Sequence, residues 1–166
     1  MFDKPLVLYH GSPYRFDEAI PSFCTATTDP ACRRAVYATD DRRIGLVFAL
    51  KCRRDRAGSF RRPRWWRKQN AVFVAAADDA IDWGATGFLY HFPSAGFHSE
   101  NGWEWLSATN VAPIRREPVD VSRALTFVSR LTHETVYEVS EPACDPAIVS
   151  PLDRSPQPSL PRVQPL

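Results

Sequence analysis

The chain has 166 residues, 44% of them apolar and 12% aromatic, with a net charge of +2. That suffices for one domain with its own core and a tail, and the longest apolar run, 71–77, falls far short of the roughly 18 residues a membrane span requires. The small net charge hides an asymmetry, because residues 51–68, KCRRDRAGSFRRPRWWRK, hold nine Lys/Arg and one Asp and so place a segment of +8 on a body of −6.

The N-terminal MFDKPLVLYH carries an Asp and no long apolar stretch, so no secretory signal and a cytoplasmic location are expected. In that compartment Cys24, Cys32, Cys52 and Cys144 are reduced thiols; they form no CxxC pair and have no metal-ligand spacing. Residues 5–9 read as a first strand that ends in a His10-Gly11-Ser12-Pro13 turn. A loop rich in Pro, Ser, Thr and Asp covers about 17–34, and 35–39 reads as a second strand. Thr39 or Asp40 is expected to cap a helix that buries Ile44, Val47, Phe48 and Leu50. The basic segment reads as a loop, from its Gly, Pro and charge density.

Two strands follow, 71–77 and 87–92, joined by a turn region around 78–85. Residues 104–107 form another strand, with 111–114 as its continuation across a bend. Apolar residues at 121, 125, 128 and 131 predict a helix over 119–131, started near Asp120 or Ser122, and 135–139 alternates as a last strand. From 141 onward prolines recur at 142, 146, 151, 156, 158, 161 and 165, which predicts an extended or disordered tail over 141–166. Strands outnumber helices, so the class is α+β, with one domain over 1–140 and a basic insertion at 51–69.

Three polar residues lie within or beside these apolar strands: His10, Tyr37 and Glu104. Singly, each has an ordinary explanation: a turn residue, core packing, and the solvent side of an alternating strand. Their surroundings run in the order LYHGSP, VYATDDRRIGLVFAL, GFLYHFPSAGF and NGWEWLSATNVAPI. This ordered set resembles the ADP-ribosyltransferase-like superfamily in its histidine–tyrosine–glutamate branch, shared with diphtheria toxin and the poly-ADP-ribose polymerases. Within that branch it looks like small bacterial proteins with a YHGS first strand, and the resemblance covers about residues 6–140.

The resemblance implies a split antiparallel β-sheet core and the cleavage of the nicotinamide–ribose bond of NAD. Glu104 would accept a hydrogen bond from the nicotinamide-ribose 2′-hydroxyl and stabilise a centre of oxocarbenium character. The flanking tryptophans would exclude water from it. Tyr37 would offer its aromatic face to the cationic nicotinamide ring, with Phe48 as a further cofactor-binding residue. His10 would bond the adenosine-ribose hydroxyls, Gly11 would let its backbone approach the carboxamide, and Ser12 would add a hydroxyl bond. Such chemistry needs no metal. Glu100, in a loop-like HSENG context, competes with Glu104 for the catalytic role, whereas His91 reads as structural and His98 as a weak substrate contact. Arginine-specific relatives carry an acidic residue two positions before the catalytic Glu; here that position is Gly102, so arginine is not the expected acceptor.

The acceptor is left to the basic segment. Arg61, Arg62, Arg64, Trp65, Trp66, Arg67 and Lys68 mix cations with aromatics, as single-stranded RNA or DNA would require, and relatives in the superfamily do modify nucleic acid. A protein acceptor is the alternative, and so is a solvated arm paired with the acidic body. Three functions follow: a mono-ADP-ribosyltransferase, as a toxin or defence effector with a neutralising antitoxin; an NAD glycohydrolase or RNA 2′-phosphotransferase-like enzyme; and a catalytically silent binding module.

Overall fold

The apolar run that opens the chain is strand β1, Val7–Ser12, and it does not stop at His10. The computed structural model describes residues 4–23, 33–54, 57–59, 61–99 and 101–141. Expectations that fall on Cys24, Cys32, Cys144, Glu100 and the Pro-rich segment after 141 lie outside the described residues. In β1, His10, Gly11 and Ser12 sit opposite Tyr90, Leu89 and Phe88 of β6, Thr86–Pro93. The expected turn is therefore a strand end, because a long partner strand supplies its backbone groups with bonds that a turn would leave to solvent.

The other elements are β2 (Ser22–Phe23), β3 (Arg34–Thr39), α1 (Arg42–Ala49), β4 (Arg64–Lys68), β5 (Ala71–Ala76), β7 (His98–Ser99), β8 (Glu104–Ser107), β9 (Arg115–Asp120), α2 (Val121–Ala124), β10 (Leu125–Arg130) and β11 (Thr135–Val139). They build two sheets, one in the order β7-β8-β3-β1-β6-β9 with β2 added to β3, the other in the order β10-β11-β5-β4. Every registered strand pair is antiparallel, and the class is α+β as expected. Neither described helix is long and apolar enough to cross a membrane.

Three expectations are corrected here. Part of the basic segment is strand β4, paired residue for residue with β5 from Arg64↔Ala75 to Lys68↔Ala71. Two adjacent tryptophans favour a strand, and the Arg and Lys around them protect an outer strand from edge-to-edge association. The expected helix over 119–131 is a single turn, after which β10 pairs with β11. Thr126, Phe127 and Val128 suit a strand, and Phe127, Val128 and Leu131 are exposed, so their helical spacing marked no buried stripe. Residues 111–114 do not extend β8: Val111 makes an isolated bridge to Ala19, and the chain enters β9 instead. Pro118 is tolerated in β9 because that strand is at the edge of its sheet.

Helix α1 is capped by Asp41, whose side chain accepts from the Arg43 N–H, rather than by Thr39 or Asp40. Ile44, Val47 and Leu50 are buried as expected, but Phe48 is 42% exposed. The helix rests on β1 and β6 through three glycines. A Cβ on Gly11 would lie 1.8 Å from the Gly45 carbonyl oxygen, and one on Gly87 would lie 2.0 Å from the Ala49 carbonyl oxygen. A Cβ on Gly45 would meet Leu89 Cδ1 at 2.8 Å. This close seat gives the first sheet two faces. The helix face carries Tyr9, Gly11 and Leu89 and merges with the core between the sheets. The opposite face carries an aromatic core of Leu8, Val36, Ala38, Tyr90, Phe92, Phe97 and Trp105.

Candidate functional site

Strands β8, β3 and β1 are consecutive neighbours, so Glu104, Tyr37 and His10 stand on three adjacent strands. Their register decides which side chains share a face. Glu104 is opposite Thr39, Tyr37 is opposite Leu106, and Thr39 is opposite Tyr9. By the two-residue alternation, Tyr37 and Glu104 lie on the α1 face with Tyr9, while His10 lies on the aromatic face. The His10 ring packs among Phe16, Tyr90 and Phe92, with centroids 5.7, 6.2 and 5.6 Å away.

Between β1 and β3 the pairing is short. Tyr9↔Thr39 is the one registered pair, whereas β1 and β6 are paired along six positions. Past that pair, the His10 ring bridges the gap, with Nδ1 at 2.6 Å from the Tyr37 carbonyl oxygen. A carbonyl only accepts, so Nδ1 carries the proton and Nε2 presents a lone pair. Burial lowers the pKa of His10, against the raising effect of that hydrogen bond, and keeps the imidazole neutral at physiological pH. The Tyr37 hydroxyl donates to the Arg33 carbonyl at 2.5 Å, and the Ser12 hydroxyl oxygen accepts from the Tyr14 N–H at 3.1 Å. Gly11 is required in its own right by the helix packed against it.

Glu104 is delivered by a turn that sequence reading passed over. Asn101 Oδ1 accepts from the N–H groups of both Trp103 and Glu104, at 3.2 and 2.9 Å. Gly102 has φ +86° and donates its N–H to the Ser99 hydroxyl at 2.9 Å. A glutamate there would carry the strain of a left-handed backbone, which gives a physical reason for the missing second acidic residue. The Asn-Gly pair in HSENGWEW was the signal available for this turn. Of the two tryptophans beside Glu104, only Trp103 packs with the core beneath α1; Trp105 is buried in the opposite aromatic core.

The carboxylate of Glu104 has no hydrogen-bond or ion-pair partner among the described residues, and burial raises its pKa. Glu117, on β9, is the opposite case. Arg42 Nη2 and His91 Nε2 each lie 2.6 Å from it and Arg115 Nη2 lies 3.2 Å away. The His91 hydrogen bond first, against burial, and then Arg42 hold its pKa at about 2. No sequence pattern announces this buried network, in which His91, expected to be structural, lies against Glu117.

The basic segment folds back onto the body. Arg61 pairs with Asp79 at 2.6 Å, Arg64 with Glu134, and Arg67 with the capping Asp41 at 3.3 Å. Arg62 and Lys68 make no ion pair among the described residues. Trp66 stacks on Phe73 on the outer face of the second sheet, whereas Trp65 turns inward against Phe48 and Trp103. An open depression of about 550 Å³ lies beside the N-terminus of α1, lined by Tyr9, Asp40, Asp41, Arg42, Arg43, Arg67 and Glu141. Tyr9 is the β1 residue that pairs with β3, but neither Tyr37 nor Glu104 lines that depression. Comparison with family models, with curated proteins and with solved structures found no match to this chain.

Proposed function

We propose that this chain is an NAD-dependent mono-ADP-ribosyltransferase with an ADP-ribosyltransferase-like split sheet. One observation carries the reading most: a half-buried glutamate without a partner among the described residues shares a sheet face with Tyr37 on the neighbouring strand, where the pairing to β1 is short and His10 bridges it from the other face. Buried or half-buried carboxylates are ordinarily paired, and one left unsatisfied suggests a ligand group that completes it.

NAD would lie along the gap between β1 and β3. Glu104 would hold the nicotinamide-ribose 2′-hydroxyl, and Tyr37 and Phe48 would offer aromatic faces to the pyridinium ring. Gly11 and Ser12 would bound the carboxamide end. His10, from the edge of the split, would accept a hydroxyl hydrogen bond from the adenosine ribose through Nε2. The glycosidic C–N bond then breaks with its electron pair leaving on nicotinamide, which cancels the ring's positive charge. The Glu104 carboxylate stabilises the positive anomeric carbon until an acceptor's lone pair attacks it and the acceptor loses its proton to solvent.

The acceptor divides two readings. Transfer to a nucleic acid or protein is the first, with the chain acting as a toxin or defence effector that a neutralising antitoxin would hold. Hydrolysis, with water as acceptor, is favoured by one feature: Arg61, Arg64 and Arg67 are engaged by the protein's own carboxylates. Incubation with NAD labelled in its adenosine half separates them. Label on nuclease-sensitive or protease-sensitive material supports transfer, and free ADP-ribose alone supports hydrolysis. Glu104→Gln is expected to lower NAD consumption by on the order of 10²–10³-fold, with NAD affinity changed by less than about threefold. Unchanged turnover in that variant would overturn the role of Glu104 and move attention to Glu100.

A further inference from the structure

Among the described residues the two sheets end in β7, β9, β4 and β10, and three of these outer strands are guarded against pairing with a further strand. β7 is two residues long, β9 carries Pro118 beside Arg115 and Arg116, and β4 sets Arg64, Arg67 and Lys68 along its five residues. Shortness, proline and cations are the devices that keep a sheet edge from associating. β10 is different. It has six residues, LTFVSR, without proline or acid. Its one cation, Arg130, stands at the strand end and is held by Asp78.

The side chains of β10 face water. Phe127 is 63%, Val128 45% and the following Leu131 48% exposed, and Thr126, Ser129 and Arg130 are exposed as well. Phe127 stands opposite Tyr137 on β11, and Tyr137 packs edge-to-face on the exposed Trp83 with ring centroids 5.3 Å apart. An apolar strip therefore runs from the strand edge onto the sheet. A bulge between Phe127 and Ser129 leaves Leu125, Thr126 and Phe127 in regular register with Val139, Glu138 and Tyr137. An outer strand also turns alternate backbone N–H and C=O groups away from its sheet, and a further strand would satisfy them.

We propose that β10 is a self-association edge, which pairs antiparallel with β10 of a second copy of the chain about a two-fold axis. Two identical edges paired antiparallel close on themselves, so the assembly stops at two copies and the second sheets of both become one sheet. The charges fit this occupant. Arg130 stands at the C-terminal end of β10, whereas Glu138 lies opposite Thr126 near the other end. Antiparallel pairing brings Arg130 of each copy towards the Glu138 end of the other and keeps the two Arg130 side chains apart. The same operation on β4 would set Arg64, Arg67 and Lys68 against their own copies, and like charges across a strand pair are destabilising. The inference stands apart from any reaction with NAD.

The test is sedimentation-velocity ultracentrifugation of the full chain from about 1 to about 200 µM, where a monomer–dimer equilibrium with a Kd on the order of 10 µM is expected for a contact at the small end of specific interfaces. Phe127→Lys and Val128→Lys should each raise that Kd by about tenfold or more, because they place like charges close to the two-fold axis. Trp66→Ala, on the outer face of β4, should leave it unchanged. Circular-dichroism melting of each variant establishes that the fold is retained. Hydrogen exchange on the wild type gives a readout that needs no variant: amides of 125–130 should exchange about fivefold more slowly at the highest concentration than at the lowest, and those of β4 equally at both. A monomer at every concentration, species that grow beyond a dimer, or full dimerisation by both folded lysine variants would each overturn the proposal. A dimer whose β10 amides do not respond to concentration would overturn it in favour of another interface. A monomer with protected β10 amides would do so in favour of another segment of the same chain on this edge.

Discussion

Two glutamates lie on the helix face of the first sheet, one on each side of α1, and the protein treats them in opposite ways. Glu117 is surrounded by Arg42, Arg115 and His91, and its pKa falls to about 2. Glu104 follows directly on the Asn101 turn, has no ion-pair partner among the described residues, and has its pKa raised by burial. Partial burial is common to both, so burial alone does not separate a structural carboxylate from a functional one. The separation lies in what surrounds the charge: Glu117 is paired by the protein's own side chains, whereas Glu104 has no partner among the described residues, and it is there that we propose a ligand.

Glu117→Gln tests the satisfied half of this comparison and should have the largest effect on stability. It leaves Arg42 and His91 buried without their anion, at a cost of about 3 kcal/mol. The sign follows from linkage. The folded pKa of Glu117 lies below its ordinary value of 4.5, so its contribution is complete above pH 4.5 and is lost as pH falls towards 2. Denaturant melts of the wild type and the variant should differ most at neutral pH and converge in acid. A gap that persists unchanged at pH 2–3 would show that the network is not what the substitution removed.

Gly11→Ala tests the element that stands between the two carboxylates. Its methyl group would lie 1.8 Å from the Gly45 carbonyl oxygen and 2.5 Å from the Ala49 nitrogen, both backbone atoms that move only with the helix. The expected loss is about 2 kcal/mol, in the range of overpacked cores. Because α1 also carries Phe48 and Arg42, NAD binding and the Glu117 network should weaken together in this variant. Loss of NAD binding with full stability would show that Gly11 acts through the ligand and not through the helix seat.

Much of this frame was legible in the sequence, for reasons that also explain the failures. Strands 71–77, 87–92, 104–107 and 135–139 were readable because apolar and β-branched residues cluster between polar turns, and the structure places strands within a residue or two of them. The neighbouring positions of His10, Tyr37 and Glu104 came from motif order. What motif order could not supply was their faces, since one residue of register moves a side chain across the sheet. β4 was hidden because charge density reads as loop, while a cationic edge strand carries that same density. The helix expected over 119–131 failed because exposed apolar residues of β10 fell at helical spacing. The Glu117 network draws on α1, β6 and β9, three segments distant in the chain, and no local pattern announces it.

The smallest effect predicted is also the one that most directly contrasts the two glutamates. Burial raises the folded pKa of Glu104 above its ordinary 4.5, so above that pH the folded state carries a charge it would hold more easily in water. Glu104→Gln removes the charge without changing the shape of the side chain. It should therefore raise the melting temperature at pH 7, by roughly 1–3 °C for a domain of this size, while Glu117→Gln lowers it. The gain should shrink as pH falls to 4.5 and below, where Glu104 is protonated in both states. Thermal melts of the two variants at pH 7 and pH 4 give the comparison its sharpest form: opposite shifts at neutral pH, both diminishing in acid. A Glu104→Gln variant less stable than wild type at pH 7 would mean that the carboxylate has a partner in the folded protein, and Glu104 would then belong with Glu117.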